Sequence, residues 1–211
     1  AITAFDNVLS RLPDHAAAWH QRGIAYEFLQ DDQLAVESYE KARQFDPRNG
    51  ELLFFEGRTY ARLGKFEDAV RIFNLALDVS PDNGEVFYEK GLALSILGRH
   101  GEAENVLEKA ARFLPEKHEP LYQRGLSLMH LERYPDAVSV FTAAIDLDPE
   151  NPELWFQKGT ALASLGQPQP AASAFEKAIA LRPDDIRSRL GLARAFVALE
   201  KDEDAVRSFD V

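Results

Sequence analysis

Across 211 residues, 24 lysines and arginines stand against 35 aspartates and glutamates, and the net charge of -11 opposes nucleic acid, whose binding depends on clustered basic residues. The absence of cysteine excludes disulfides and thiolate metal sites. No apolar run approaches the roughly 18 residues of a membrane-spanning helix.

Three residue types keep one beat along the chain. Glycines stand at Gly23, Gly57, Gly91, Gly125 and Gly159, each 34 residues after the last, with Ala193 in the next place. Prolines recur at Pro13, Pro47, Pro81, Pro115, Pro149 and Pro183, and alanines at Ala1, Ala35, Ala69, Ala103, Ala137, Ala171 and Ala205. A fixed period of this length is the mark of a repeat array, in which each unit packs mainly on its neighbours. In chain order the array is a partial repeat at 1–15, a second helix only. Full repeats follow at 16–49, 50–83, 84–117, 118–151 and 152–185, then a truncated repeat at 186–211. The chain starts without methionine and stops inside a repeat, so it is expected to be a piece of a longer protein.

Counting each repeat from its first residue, large side chains fall at the fourth position (Trp19, Leu53, Phe87, Leu121, Trp155) and the eleventh (Tyr26, Tyr60, Leu94, Leu128, Leu162, Phe196), with glycine at the eighth. Steps of four and three predict one face of a helix. A second helix follows, with alanine at the twentieth position, a ring or leucine at the twenty-fourth (Tyr39, Phe73, Leu107, Phe141, Phe175, Phe209) and a small residue at the twenty-seventh. Gly64, Gly98 and Gly166 mark the turn between the two, and Pro135 and Pro170 suit a first helical turn. DPRN, SPDN or DPEN closes the repeat, placing Asn49, Asn83 and Asn151 to cap the next first helix. The helix-interior glycine is expected to let two backbones approach, with Ala42, Ala76, Ala110, Ala144 and Ala178 as its small counterpart.

Trp19, Gly23, Tyr26, Ala35, Tyr39 and Pro47 match the Trp, Gly, Tyr, Ala, Phe/Tyr and Pro places of the tetratricopeptide repeat, which the whole chain resembles. The resemblance implies an all-α fold: a right-handed superhelical solenoid of helix–turn–helix repeats whose first helices line a concave groove. It implies little about the partner, because sites are grafted onto folds.

At the seventh position, usually leucine in that family, stand Arg22, Glu56, Lys90, Arg124 and Lys158, beside a ladder of Leu29, Leu63, Leu97, Leu131, Leu165 and Leu199 expected to face the neighbouring repeat. Two readings stand. Long stems can lie over the ladder with their heads in water, or Glu56 can join Arg22 and Lys90 in a chain of ion pairs that sets the twist. Surface pairs are worth about 0–1 kcal/mol, so Glu56→Leu is expected to change stability little.

The groove is expected to carry the second, fifth, ninth and twelfth positions. The fifth reads His20, Phe54, Tyr88, Tyr122, Phe156 and Leu190, rings with no partner in their own helix pair; the ninth reads Ile24, Arg58, Leu92, Leu126, Thr160 and Arg194; the twelfth adds Met129 and Val197. A contiguous apolar strip of this kind tends to mark an interaction surface. Along its edge runs an acidic line of Glu51, Glu85, Glu119 and Glu153, an arrangement the helix dipole favours anyway. The candidate contacts are therefore Phe54, Arg58, Tyr88, Leu92, Tyr122, Leu126, Met129 and Phe156 with those four glutamates. The expected ligand is a protein segment presenting apolar anchors with Lys or Arg beside them.

A carboxylate clamp of the kind found in chaperone-binding members needs lysine at the fifth position and asparagine at the sixth and ninth, and it is missing here. Arg58 and Arg62 remain as a small basic spot. His15, His20, His100, His118 and His130 fall at unrelated repeat positions, so neither a metal site, a cofactor nor catalysis is expected. The leading function is a protein-interaction scaffold in the cytoplasm, although the lack of cysteine does not itself fix a compartment. Two alternatives stand beside it. One is end-to-end self-association through Ala1, Phe5 and Leu9 at one end and Val206 and Phe209 at the other, since solenoids need polar caps. The other is a targeting or regulatory arm of a larger enzyme.

Overall fold

The computed structural model describes residues 1–208, the side chain of Asp202 apart; Phe209, assigned above to the last second helix, lies outside them. Every regular element among the described residues is a helix. The chain forms two compact units, Ala1–Phe113 and Leu114–Val211. The first holds α1 (Ile2–Leu9), α2 (Ala16–Phe28), α3 (Asp32–Phe45), α4 (Gly50–Arg62), α5 (Phe66–Val79), α6 (Gly84–Ile96) and α7 (His100–Phe113). The second holds α8 (Glu119–His130), α9 (Tyr134–Leu147), α10 (Pro152–Ser164), α11 (Pro168–Leu181), α12 (Ile186–Ala198) and α13 (Asp202–Arg207).

Local chemistry sets these boundaries. Asn49 and Asn83 accept the amides of Leu52 and Val86 at 3.0 and 3.2 Å, and Asn151 that of Glu153 at 3.1 Å. Asp185 caps α12 in the same way. Pro135 lies in the first turn of α9, where a missing amide proton costs nothing. Each first helix ends at a residue in the left-handed region: Gly64, Gly98 and Gly166 at φ near 73°, but also Gln30, Glu132 and Glu200 at φ near 60°. Only glycine takes that conformation without a Cβ penalty.

Within each unit a first helix packs on its own second helix, which packs on the first helix of the next pair; successive first helices also touch along one face. The repeated beat of small and large residues makes the core. Ala35, Ala69, Ala103, Ala137 and Ala171 are fully buried, as are Tyr39, Phe73, Leu107 and Phe141. The eighth-position glycine answers to the ring, not to the alanine of the second helix as expected. A Cβ on Gly23, Gly57 or Gly125 would stand 2.4 to 2.5 Å from the ring of Tyr39, Phe73 or Phe141, and one on Gly91 2.6 Å from Leu107. Burying a ring against the bare helix outweighs the roughly 1 kcal/mol propensity cost of glycine.

The seventh-position expectation fails at Glu56, which is 0% exposed. It reaches neither Arg22 nor Lys90 as a partner; Arg43 of α3 donates its Nε to both carboxylate oxygens, at 3.1 and 2.9 Å. Burial pushes the Glu56 carboxyl above its ordinary range, and Arg43 offsets this only in part. Arg22 instead binds Asp6 at 2.8 Å and Ser38 at 2.9 Å. The leucine ladder is likewise uneven. Leu63 and Leu97 pack on the core, whereas Leu29 is 66% exposed. At the N-terminal end, Leu9 is buried and α1 packs on α2.

Candidate functional site

In each unit a cleft opens between successive first helices. In the first unit a cleft of about 650 Å³ lies against α2 and α4, lined by Ile24, Phe28 and Phe55 with Glu27, Asp32 and Arg62 at its polar side. Those charges are satisfied internally. Arg62 donates to Glu27 at 2.7 Å and to both oxygens of Asp32, while the Thr59 hydroxyl donates to Glu27. The basic spot expected from Arg58 and Arg62 is therefore not available as a pair: Arg62 is held by its own carboxylates, and Arg58 lies 3.9 Å from Glu89. Hydrogen bonding to Asp32, against the cost of burial, raises the pKa of Arg62 and keeps it charged.

In the second unit a cleft of about 760 Å³ lies between α10 and α12, walled by Phe156, Thr160 and Leu190, with Phe175 behind them and Arg187 and Arg194 at its edge. These walls are fifth- and ninth-position residues, where the sequence placed the groove. Gly191 lets the Phe175 ring pack closely on α12, because a Cβ there would stand 2.7 Å from that ring.

The fifth-position rings are less free than their spacing suggested. Tyr122 tilts against Phe141 with centroids 6.4 Å apart, and Phe156 against Phe175 at 5.9 Å, each within its own helix pair. His20 is buried between Tyr39 and Phe55, so it lines a core and not a groove. The reason is the eighth-position glycine: the ring that fills its space also reaches the residue one turn earlier. Phe54, Tyr88, Tyr122 and Phe156 stay half-buried, each with part of its surface open. Leu92, Leu126 and Met129 are half-buried along the same helices. Arg58 stands over Phe54 at 5.5 Å and Arg187 over Phe156 at 4.7 Å, contacts of the cation–π kind.

Of the acidic line, Glu51 and Glu119 are exposed and Glu85 half-exposed. Glu153 is half-buried and accepts from Arg187 Nη2 at 2.8 Å. The second position itself carries an arginine in the last repeat. That inversion was readable in the sequence, but the pairing was not, since it joins residues 34 positions apart.

Two buried polar atoms were also missed. Nε2 of His20 and the Tyr39 hydroxyl, which lies beside Glu27, lack a well-formed hydrogen bond among the described residues. Burial lowers the His20 pKa, opposed by Glu51 and Glu27, so the imidazole is neutral near pH 7. Among the described residues no three His, Asp or Glu side chains are grouped to hold a metal, and no helix is long and apolar enough to cross a membrane.

Comparison with solved structures finds this architecture repeatedly. YrrB, described as a TPR protein with an unusual peptide-binding site, superposes with a TM-score of 0.80 at 23% identity, covering 89% of this chain and 97% of its own. MamA from Desulfovibrio magneticus RS-1 gives 0.71 at 24% identity, over 76% and 90%. A tetratricopeptide repeat protein from Parabacteroides merdae gives 0.77 at 21% identity, over 92% and 77%. No curated protein sequence matches the chain. Sequence models of the tetratricopeptide repeat match residues 16–49, 56–118, 122–186 and 156–211. With its helix pairs, ring-on-glycine packing and 34-residue beat, the chain belongs to the tetratricopeptide repeat family.

Proposed function

We propose that this chain is a protein-interaction scaffold that holds a peptide or a partner helix along its first-helix groove and performs no catalysis. The observation that carries the reading is the cleft between α10 and α12, an apolar-walled space beside the half-open ring of Phe156. Sites for protein segments combine aromatic anchors with a few placed polar groups, as here. Phe54, Tyr88 and Leu92 supply the apolar contacts of the first unit, and Tyr122, Leu126, Met129 and Phe156 those of the second. Arg58, Glu51, Glu85 and Glu119 supply the polar edge, and the glutamates favour basic residues beside the ligand's apolar anchors. Because the rings rest on a packed core, they are held before a ligand arrives, which lowers the ordering cost of binding.

The test is selection from a random dodecapeptide display library. The native array is compared with a variant carrying Tyr88→Ala, Tyr122→Ala and Phe156→Ala, after thermal melts establish that both fold. The reading expects peptides enriched on the native array and lost on the variant. Equal enrichment on both would remove the groove.

A further inference from the structure

The second-unit cleft differs in charge from the rest of the molecule. In a chain of net charge -11, both charged residues lining it are arginines, Arg187 and Arg194. They belong to one face of α12, with Leu190 and Gly191 between them at the spacing of successive turns. Their states differ. Arg187 is balanced by Glu153 at 2.8 Å and Asp185 at 3.2 Å and lies over Phe156. Arg194 is exposed and makes no ion pair among the described residues. Its guanidinium thus stands beside an apolar space with its charge uncompensated there.

We propose that this cleft takes the acidic part of the bound peptide: an apolar side chain between Phe156 and Leu190, and an adjacent Asp or Glu carboxylate on Arg194. The proposal rests on the peptide-binding reading of the same groove and adds the chemistry of one end of it. A carboxylate is the partner that arginine's planar fork matches with two parallel hydrogen bonds. The apolar walls reduce the water around that pair and strengthen it. Arg187, tied to Glu153 and Asp185, withdraws the last glutamate of the acidic line from any basic ligand group. Across the second unit the groove therefore changes sign, from Glu119 on α8 to Arg194 on α12.

The test reads the composition of the peptides selected by the native array and repeats the selection with Arg194→Glu and Arg194→Gln, both at an exposed position. Expected is enrichment of peptides pairing an apolar residue with Asp or Glu. Their affinity by fluorescence anisotropy should fall about tenfold or more with either variant, as for a lost charged hydrogen bond. It should also weaken as salt rises. Neutral or basic peptides that Phe156→Ala releases and Arg194→Glu does not would overturn this proposal while leaving the groove standing. No peptide sensitive to either residue would overturn both. If Arg194→Glu instead abolished a concentration-dependent dimer in sedimentation, the occupant would be a second copy of the chain, and the separate acidic partner would be refuted.

Discussion

The two units share one repeat and place their charges differently. In the first, Glu56 is drawn inside and clasped by Arg43, and Arg62 is locked to Glu27 and Asp32, so the cleft of that unit is closed electrostatically by its own side chains. In the second, Arg187 is likewise held by Glu153 and Asp185, but the cleft keeps Arg194 at its edge without an ion pair among the described residues. The small residues and rings that form the core are nearly interchangeable between the units. The lesson is that the period specifies packing, while the positions it leaves free decide where a polar ligand group can be met.

That comparison can be broken first at the shared core. Phe73→Ala in the first unit and Phe141→Ala in the second each remove a fully buried ring and should cost about 3–5 kcal/mol. Urea unfolding measures both, and a loss confined to one unit would show that the repeats are not equivalent. The next effect separates the units. Glu56→Ala leaves a cavity and an unpartnered Arg43, for about 3 kcal/mol, whereas Lys158→Ala, half-exposed over Trp155, should stay within about 0.5 kcal/mol. Similar losses at both sites would erase the distinction.

The pH dependence of stability sharpens the same contrast. The folded-state pKa of Glu56 lies above its unfolded value because of burial, so the native state holds this proton more tightly. Its contribution is fully present below the ordinary carboxylate range and is lost as pH rises through the raised value. Glu56→Gln should flatten that segment of the stability profile, and an unchanged profile would contradict the assignment. In the opposite direction, Gln30→Gly and Glu132→Gly should each gain about 0.5–1 kcal/mol in thermal melts by relieving a left-handed turn.

Much of this fold is readable because it is local or periodic. Asn49, Asn83 and Asn151 cap helices three residues or fewer away, and Gly64, Gly98 and Gly166 announce their turns by identity. What escaped was which side chains meet between helices, even where the same repeat positions pair, as at Tyr122–Phe141 and Phe156–Phe175. The sequence cannot say that Arg43 turns toward Glu56, nor that Phe175 reaches Phe156 and Phe141 reaches Tyr122, leaving the predicted ladder half-covered. The Glu27, Asp32 and Arg62 cluster escaped for the same reason: its members are ordinary surface types until two repeats are laid side by side.

The absence of cysteine offers the most direct test of the groove. Thr160→Cys, on the wall of the α10–α12 cleft, and Ser173→Cys, exposed on α11, can each carry a single environment-sensitive dye. Peptides retained by the native array are then titrated against both. A saturable blue shift is expected at position 160 and none at 173. A shift at 173 with none at 160 would place binding on the second helices and contradict it.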